Sequence, residues 1–386
     1  MTEQAKPTHS PLGASGAERW MNCPGSVTLL KNLDLGVTDE PDYQREGTAA
    51  HEALAKCLSR NLDAWEVVGE TFHGTEVTGE MADAIQVFLD TTRPAMAVEG
   101  ARTYIEYPIC HPAHELFYGT LDHAVIVGNS IEVNDFKYGQ GVLVEVEDNP
   151  QLMYYAYGIL RDFPEVVDVT LRIIQPRGFH HDGPVRKWET NAEYIKDWAE
   201  STLLPAMDVA QTEQHLDAGK WCRFCPAKLV CPLMTSLFKA AATFNPKEVI
   251  MLTTLELGRS YQYRQAVQQY IKALDEEVYR RLFKGDTSAD EFVKLVPKKA
   301  DRVFKVGAEA VFKAKFGDDA ITEPKLKSPA QMEKIDVSAK KLVNEWAYTP
   351  LTGLTVALAS DARPAVKVET TVQAFPNALD IANGAE

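Results

Sequence analysis

Residues 131 to 175 constrain this chain more than any other stretch. IEVNDFK alternates as a strand, NPQLMYYAYGIL carries an apolar stripe at helical spacing, and VDVTLRIIQPR reads as a second strand. Strand, helix and strand in that order, with short connections, imply a crossover that lays the second strand parallel to the first. The expected class is therefore α/β. Asn149 makes a good N-cap and Pro150 suits the first helical position, so the start of the helix is well marked. Upstream, RTYIEYPI and HELFYGTLDHAVIVG also alternate, and the short turn at Gly128 and Asn129 joins three strands into an antiparallel meander. Ile131 and Val133 are expected to face a core, with Phe136 turned inward after a change of face.

The same stretch carries candidate chemistry. A period of two puts Asp135 and Lys137 side by side on one face, a carboxylate to hold a hard divalent cation and an ammonium to offset charge on a phosphoryl group. Asp122, on the neighbouring strand, is placed to face Asp135, and Gly119 before it leaves room for close approach. Gln151 and Tyr155 are four apart and share a helix face. His51 sits in the first turns of a helix opened by Gly47 and Thr48. Singly, these residues read as a solvated strand end, a turn, an amphipathic surface and a surface histidine. Their interest lies in company.

Six cysteines fall at 23, 57, 110, 222, 225 and 231, the last three within CRFCPAKLVC. The C-x2-C-x5-C spacing suggests metal or iron-sulfur ligation before disulfides. A tetrahedral metal or a cubane cluster needs a fourth ligand, and Cys23, also followed by proline, is the best candidate. Zinc is the competing occupant of this cysteine site, and buried free thiols are the plain alternative. Ser15 is expected to cap the short helix that delivers Cys23.

A net charge of −15 argues against bulk coating of nucleic acid, although an acidic enzyme can still gather its basic residues along one channel. No apolar run is long enough for a bilayer and the start is polar, so no membrane contact and a cytoplasmic location are expected. Further helices are expected at 81–92, stopping before Pro94, at 191–209, and as one long amphipathic helix from about 255 to 285. Lys294, Lys298, Lys299, Arg302, Lys305, Lys313 and Lys315 form a local basic excess, a candidate nucleic-acid contact. Helical patterns recur at 330–335 and 338–346. The expected organisation is a core at 1–240, a mainly helical region at 241–370 and a flexible tail at 371–386.

In chain order, Cys23, GTAAH, GTLD, IEVNDFK, QLMYY and the clustered cysteines resemble RecB-type nucleases of the PD-(D/E)XK superfamily that carry an iron-sulfur cluster, such as AddB and the CRISPR-adaptation nucleases. The likeness covers residues 10 to 240. The chain is also similar to an uncharacterised phage and prophage family through RWMNCPGS at 19–26, SPAQMEK and SDARPAV. The resemblance implies a restriction-endonuclease-like core, a mixed central sheet flanked by helices. It further implies that His51, Asp122, Asp135 and the carbonyl of Phe136 bind Mg²⁺ or Mn²⁺ and that Lys137 orients the attacking water. Gln151 and Tyr155 would match the Q-x-x-x-Y motif, and Cys23, Cys222, Cys225 and Cys231 would hold a structural 4Fe-4S cluster. One departure is Asn134, where the general pattern has a second acid. The expected function is a metal-dependent DNA nuclease, exonucleolytic, in phage or prophage replication, recombination or repair within the host bacterial cytoplasm. Its expected partners are DNA and a single-strand-binding protein, polymerase or helicase. The alternative is a catalytically degenerate DNA-binding or scaffolding component.

Overall fold

The computed structural model describes residues 10–33, 41–140, 142–178, 180–242, 253–261, 263–299, 303–322, 325–332, 337–348, 351–358 and 364–366. It divides into two compact units, Met1–Tyr270 and Ile271–Glu386. The boundary lies thirty residues beyond the one expected near 240, because Ala266 and Tyr270 pack with Cys222, Cys231 and Met234 of the first unit.

The first unit is built on a five-stranded sheet of β1 (Arg102–Cys110), β2 (Tyr118–Val127), β3 (Ser130–Phe136), β4 (Asp168–Ile174) and β5 (Val185–Asn191), in that spatial order. β1, β2 and β3 form the antiparallel meander, β3 and β4 are parallel from Ser130↔Asp168 to Phe136↔Ile174, and β5 is antiparallel to β4. The crossover runs through α5 (Pro150–Leu160), whose first amides are capped by the Asn149 side chain at Gln151 N and Leu152 N.

Each face of the sheet covers its own core. Ile131, Val133, Leu171 and Ile173 lie in a core with α5, α1 (Ala17–Asn22), α2 (Gly25–Asn32), α6 (Ala192–Trp198) and α7 (Leu204–Thr212). Phe136 and its register partner Ile174 pack on the other side with α3 (Asp42–Arg60) and α4 (Gly79–Met96). Phe136 therefore needs no change of face, because ordinary alternation carries it into a second core. Asp135 and Lys137 are left on the α5 side, at the carboxyl end of β3.

Several local expectations are corrected. The cap of α1 is Gly16, and Ser15 lies inside a 3-10 turn, Ala14–Gly16. α4 runs through Pro94 to Met96, held by Arg93, which bonds the Leu62 carbonyl and the Asp63 carboxylate. The helix after Asn191 is interrupted by a π turn at Ala199–Leu203. The long helix expected from about 255 to 285 is two helices, Thr254–Tyr261 and Arg264–Phe283. The region expected to be mainly helical also carries strands. Within Ile271–Glu386, Val293–Lys299 pairs with Leu351–Leu358, and two shorter antiparallel pairs accompany the helices Ala308–Phe316, Pro329–Met332 and Val337–Trp346. Lysines at 294, 298 and 299 made the first of these strands look like a charge run rather than a strand. Arg302 and the tail at 371–386 lie outside the described residues.

Beneath the site is a buried polar network. Arg172 donates to Asn134 Oδ1 at 2.8 Å and to Glu132 at 2.7 Å, which leaves the Asn134 amide to donate to His123 Nδ1 at 3.1 Å. His123 thus carries its proton on Nε2. Burial, reinforced by the Arg172 charge and only partly offset by Asp122, pushes its pKa down to about 4. The unfolded chain takes up this proton first, near the ordinary 6.5, so stability is lost as pH falls through the interval from 6.5 to 4. The expected loss at pH 5 is ~2 kcal/mol relative to pH 7. Urea midpoints for the native chain and His123→Leu check it, and the variant is expected to show a shallower acid slope.

Candidate active site

The site forms where β1, β2 and β3 meet α3 and α5. From α3, His51 Nδ1 comes to 3.5 Å from Asp122 Oδ2, and that oxygen also accepts the Phe136 N–H at 2.9 Å. The His51 ring leans on the Phe136 ring with centroids 5.5 Å apart. On the α5 side, Lys137 Nζ lies 2.8 Å from Asp135 Oδ2 and donates to Gln151 Oε1 at 2.9 Å. Gln151 in turn donates to Asp135 Oδ1 at 3.1 Å and to the Tyr155 hydroxyl at 3.2 Å. Asp135 and Tyr155 are buried, unlike the surface position that an isolated amphipathic helix would give Tyr155. The six side-chain candidates therefore fall into two neighbouring groups, His51 with Asp122 and Asp135 with Lys137, Gln151 and Tyr155, near enough that the Asp122 charge acts on Asp135. Phe136 joins them through its amide and ring.

The electrostatics are those of crowded acids. Burial raises Asp135, and the nearby Asp122 charge raises it further, with Lys137 opposing, so it sits above the usual carboxylate range. Burial also acts to raise Asp122, but His51, Lys137 and the Phe136 N–H outweigh it and hold Asp122 low. Burial acts to lower His51, while Asp122 beside it carries the net shift upward. Tyr155 is pushed well up by burial and by both aspartates.

A further residue belongs here that the sequence did not flag. Glu106 lies opposite Asp122 in the register of β1 and β2 and has φ of 47°, left-handed backbone at a residue with a side chain. One ligand atom each from His51, Glu106 and Asp122 lie within 4.8 Å of one another. Loss of water around its carboxyl, with the Asp122 charge, pushes Glu106 up to about 7. In the sequence, Glu106 is simply the outward acid of an alternating strand, and only the backbone kink distinguishes it.

The cysteine group is assembled from both ends of the first unit. Cys23, Cys222, Cys225 and Cys231 line one cavity together with Arg19 and Lys228. The ends meet through backbone as well. Gly25 N donates to His215 O at 2.8 Å, Asp217 N points at Cys23 Sγ at 3.4 Å, and a Cβ on Gly25 would stand 2.5 Å from the Gln214 carbonyl carbon. Burial raises the Cys23 and Cys225 thiols and carries Cys222 up to about 11, so a metal bound there must displace protons. Cys57 is buried in the α3 and α4 core, and Cys110 is exposed, where it accepts from Arg161 Nη1 at 2.8 Å. Among the described residues, no helix is long and apolar enough to cross a membrane.

Comparison with known proteins adds two findings. A solved structure titled "Crystal structure of SSO0001" is similar at 12% identity, over 56% of this chain and 96% of that one, with a TM-score of 0.22. Residues 9–364 match the model of a family described as "Protein of unknown function (DUF2800)". The match spans nearly the whole chain, including both groups of site residues, and the chain therefore belongs to the DUF2800 family.

Proposed function

We propose that the protein is a divalent-metal-dependent deoxyribonuclease of RecB type, with a PD-(D/E)XK core and an exonucleolytic mode. The observation that carries this reading is the pairing of His51 with Asp122, close enough to Asp135 for their charges to act on one another, beside a lysine held by Asp135 and Gln151. Carboxylates crowded with one imidazole repel one another until a cation joins them, and oxygen donors with one nitrogen suit Mg²⁺ or Mn²⁺. His51, Asp122, Asp135 and the Phe136 carbonyl would hold that cation, with Glu106 as a further ligand. When bound, the cation polarises the phosphate and lowers the pKa of water. Lys137, aimed by Asp135 and Gln151, orients the attacking water and offsets charge on the phosphoryl oxygens. Tyr155 braces Gln151 and so keeps that amide facing Lys137.

The four cysteines line one cavity and fit a thiolate-bound group, a 4Fe-4S cluster by the sequence likeness, with zinc as the alternative. Elemental analysis of purified protein separates the two.

The nuclease reading is tested by incubating purified protein with linear DNA and Mg²⁺ or Mn²⁺. Cation-dependent cleavage that stops in EDTA is expected, whereas DNA retention without cleavage across both metals would mark a DNA-binding or scaffolding component instead. Glu106→Gln is expected to weaken Mn²⁺ binding about tenfold by calorimetry. Unchanged affinity would remove Glu106 from the ligand set.

A further inference from the structure

The cysteine cavity contains a cation whose partner is not a carboxylate. Arg19 lies one turn before Cys23 on α1, and the Cys23 N–H closes that turn on the Arg19 carbonyl at 2.8 Å, so one piece of backbone sets both side chains. The guanidinium lines the cavity with the four cysteines, and its Nη1 donates to the buried Ser26 hydroxyl at 2.6 Å. Gly16 faces it closely, since a Cβ there would stand 3.3 Å from Nη2. Among the described residues no ion pair to Arg19 is formed, while Glu18 beside it on the exposed side is taken by Lys220. A guanidinium keeps its charge at any ordinary pH, and a half-buried one is costly unless it faces an anion. A serine hydroxyl does not supply that charge.

The thiols do, once they bind. Four thiolates around a divalent ion, or around a cubane cluster of charge two plus, form a dianion, the same chemistry from either source. We propose that Arg19 is the charge-compensating residue of the cysteine cavity, facing the dianionic centre held by Cys23, Cys222, Cys225 and Cys231 and fixing how firmly it is retained. Lys228 lines the same cavity and donates to the Arg223 carbonyl at 3.0 Å, whereas it is the Arg19 charge that acts on the Cys225 thiol. This inference rests on the metal reading of the cysteines and goes beyond it by assigning a residue that is not a ligand.

The test uses the full chain as purified, with Arg19→Gln, Arg19→Lys and Ser26→Ala beside the wild type. Loss of iron or zinc to excess chelator is followed by absorbance, and far-UV circular dichroism reports the fold. Arg19→Gln is expected to release metal about tenfold faster, Arg19→Lys to recover most of the wild-type rate, and Ser26→Ala to stay close to it. If the metal is iron, Arg19→Gln also moves the midpoint potential negative, because a nearby cation favours the reduced and more negative cluster. If it is zinc, half-release moves to higher pH in Arg19→Gln and returns in Arg19→Lys. Equal release in Arg19→Gln and wild type overturns the inference, and so does faster release that Arg19→Lys does not rescue. Wild-type protein that holds neither iron nor zinc overturns the metal reading of the cysteines itself.

Discussion

Asp135→Asn is expected to lower DNA cleavage by roughly 10³-fold or more while leaving the chain at least as stable as before. The two effects part company if, as proposed, Asp135 serves a cation, because its buried charge does nothing for the fold. It is buried, it repels Asp122, and its charged form is disfavoured until a metal or Lys137 offsets it. An asparagine keeps the shape and can still accept from Lys137 and Gln151, but it brings no negative charge to the metal. Lys137→Ala is expected to abolish cleavage comparably with a different stability signature. It removes the ammonium 2.8 Å from a carboxylate whose side chain is 3% exposed, leaving a buried acid with only Gln151 as its partner. Breaking a fully buried pair costs about 3–5 kcal/mol, and because Lys137 is itself 24% exposed the expected loss is nearer ~2 kcal/mol. Urea midpoints beside cleavage rates separate the two variants. A residue needed only for packing would lower both in parallel.

The second large effect is expected at Gly25, where the two ends of the first unit are zipped together. Gly25→Ala places a methyl 2.5 Å from the Gln214 carbonyl carbon and 2.6 Å from the His215 carbonyl oxygen. Both are backbone atoms, and neither can rotate away. The expected cost is about 3 kcal/mol or more, with loss of the Gly25 N–H to His215 O bond and of metal from the cysteine cavity. Gly47→Ala is the control. Nothing stands within 4 Å of its added methyl, it lies inside α3, and it is expected to stabilise by ~0.5–1 kcal/mol. Thermal melts and metal content of the two variants check this contrast. The packing also limits what the cysteines themselves do. Cys222 and Cys231 sit in a cluster with Met234, Ala266 and Tyr270, separate from the two cores that cover the sheet. Metal removal is therefore expected to loosen that cluster first, by hydrogen exchange, before the sheet responds.

Which parts were legible in the sequence follows from how local each signal is. The parallel crossover rests on two alternating runs and a helix with a marked start, and both Asn149 and the parallel register are found as expected. Periods of two and four paired Asp135 with Lys137 and Gln151 with Tyr155, but only the family likeness joined the two pairs, which Lys137 and Gln151 link directly. Glu106 was not legible, because its distinction is a backbone angle rather than a residue pattern. Nor was the seam at Gly25, since a glycine after proline reads as a turn until the opposite backbone lies against it. In the second unit, lysines alternating with Leu295, Pro297 and Val293 hid a strand whose partner is more than fifty residues away.

The central claim is that the acids around Asp122 and Asp135 hold a divalent ion for hydrolysis of DNA. The most direct measurement is digestion of DNA labelled at one end by wild type and by Asp135→Asn, with Mn²⁺ and with EDTA, resolved by fragment length over time. Wild type in Mn²⁺ is expected to shorten the DNA progressively, with intact DNA in the other three lanes. Intact DNA in every lane, or equal digestion by Asp135→Asn, would contradict it.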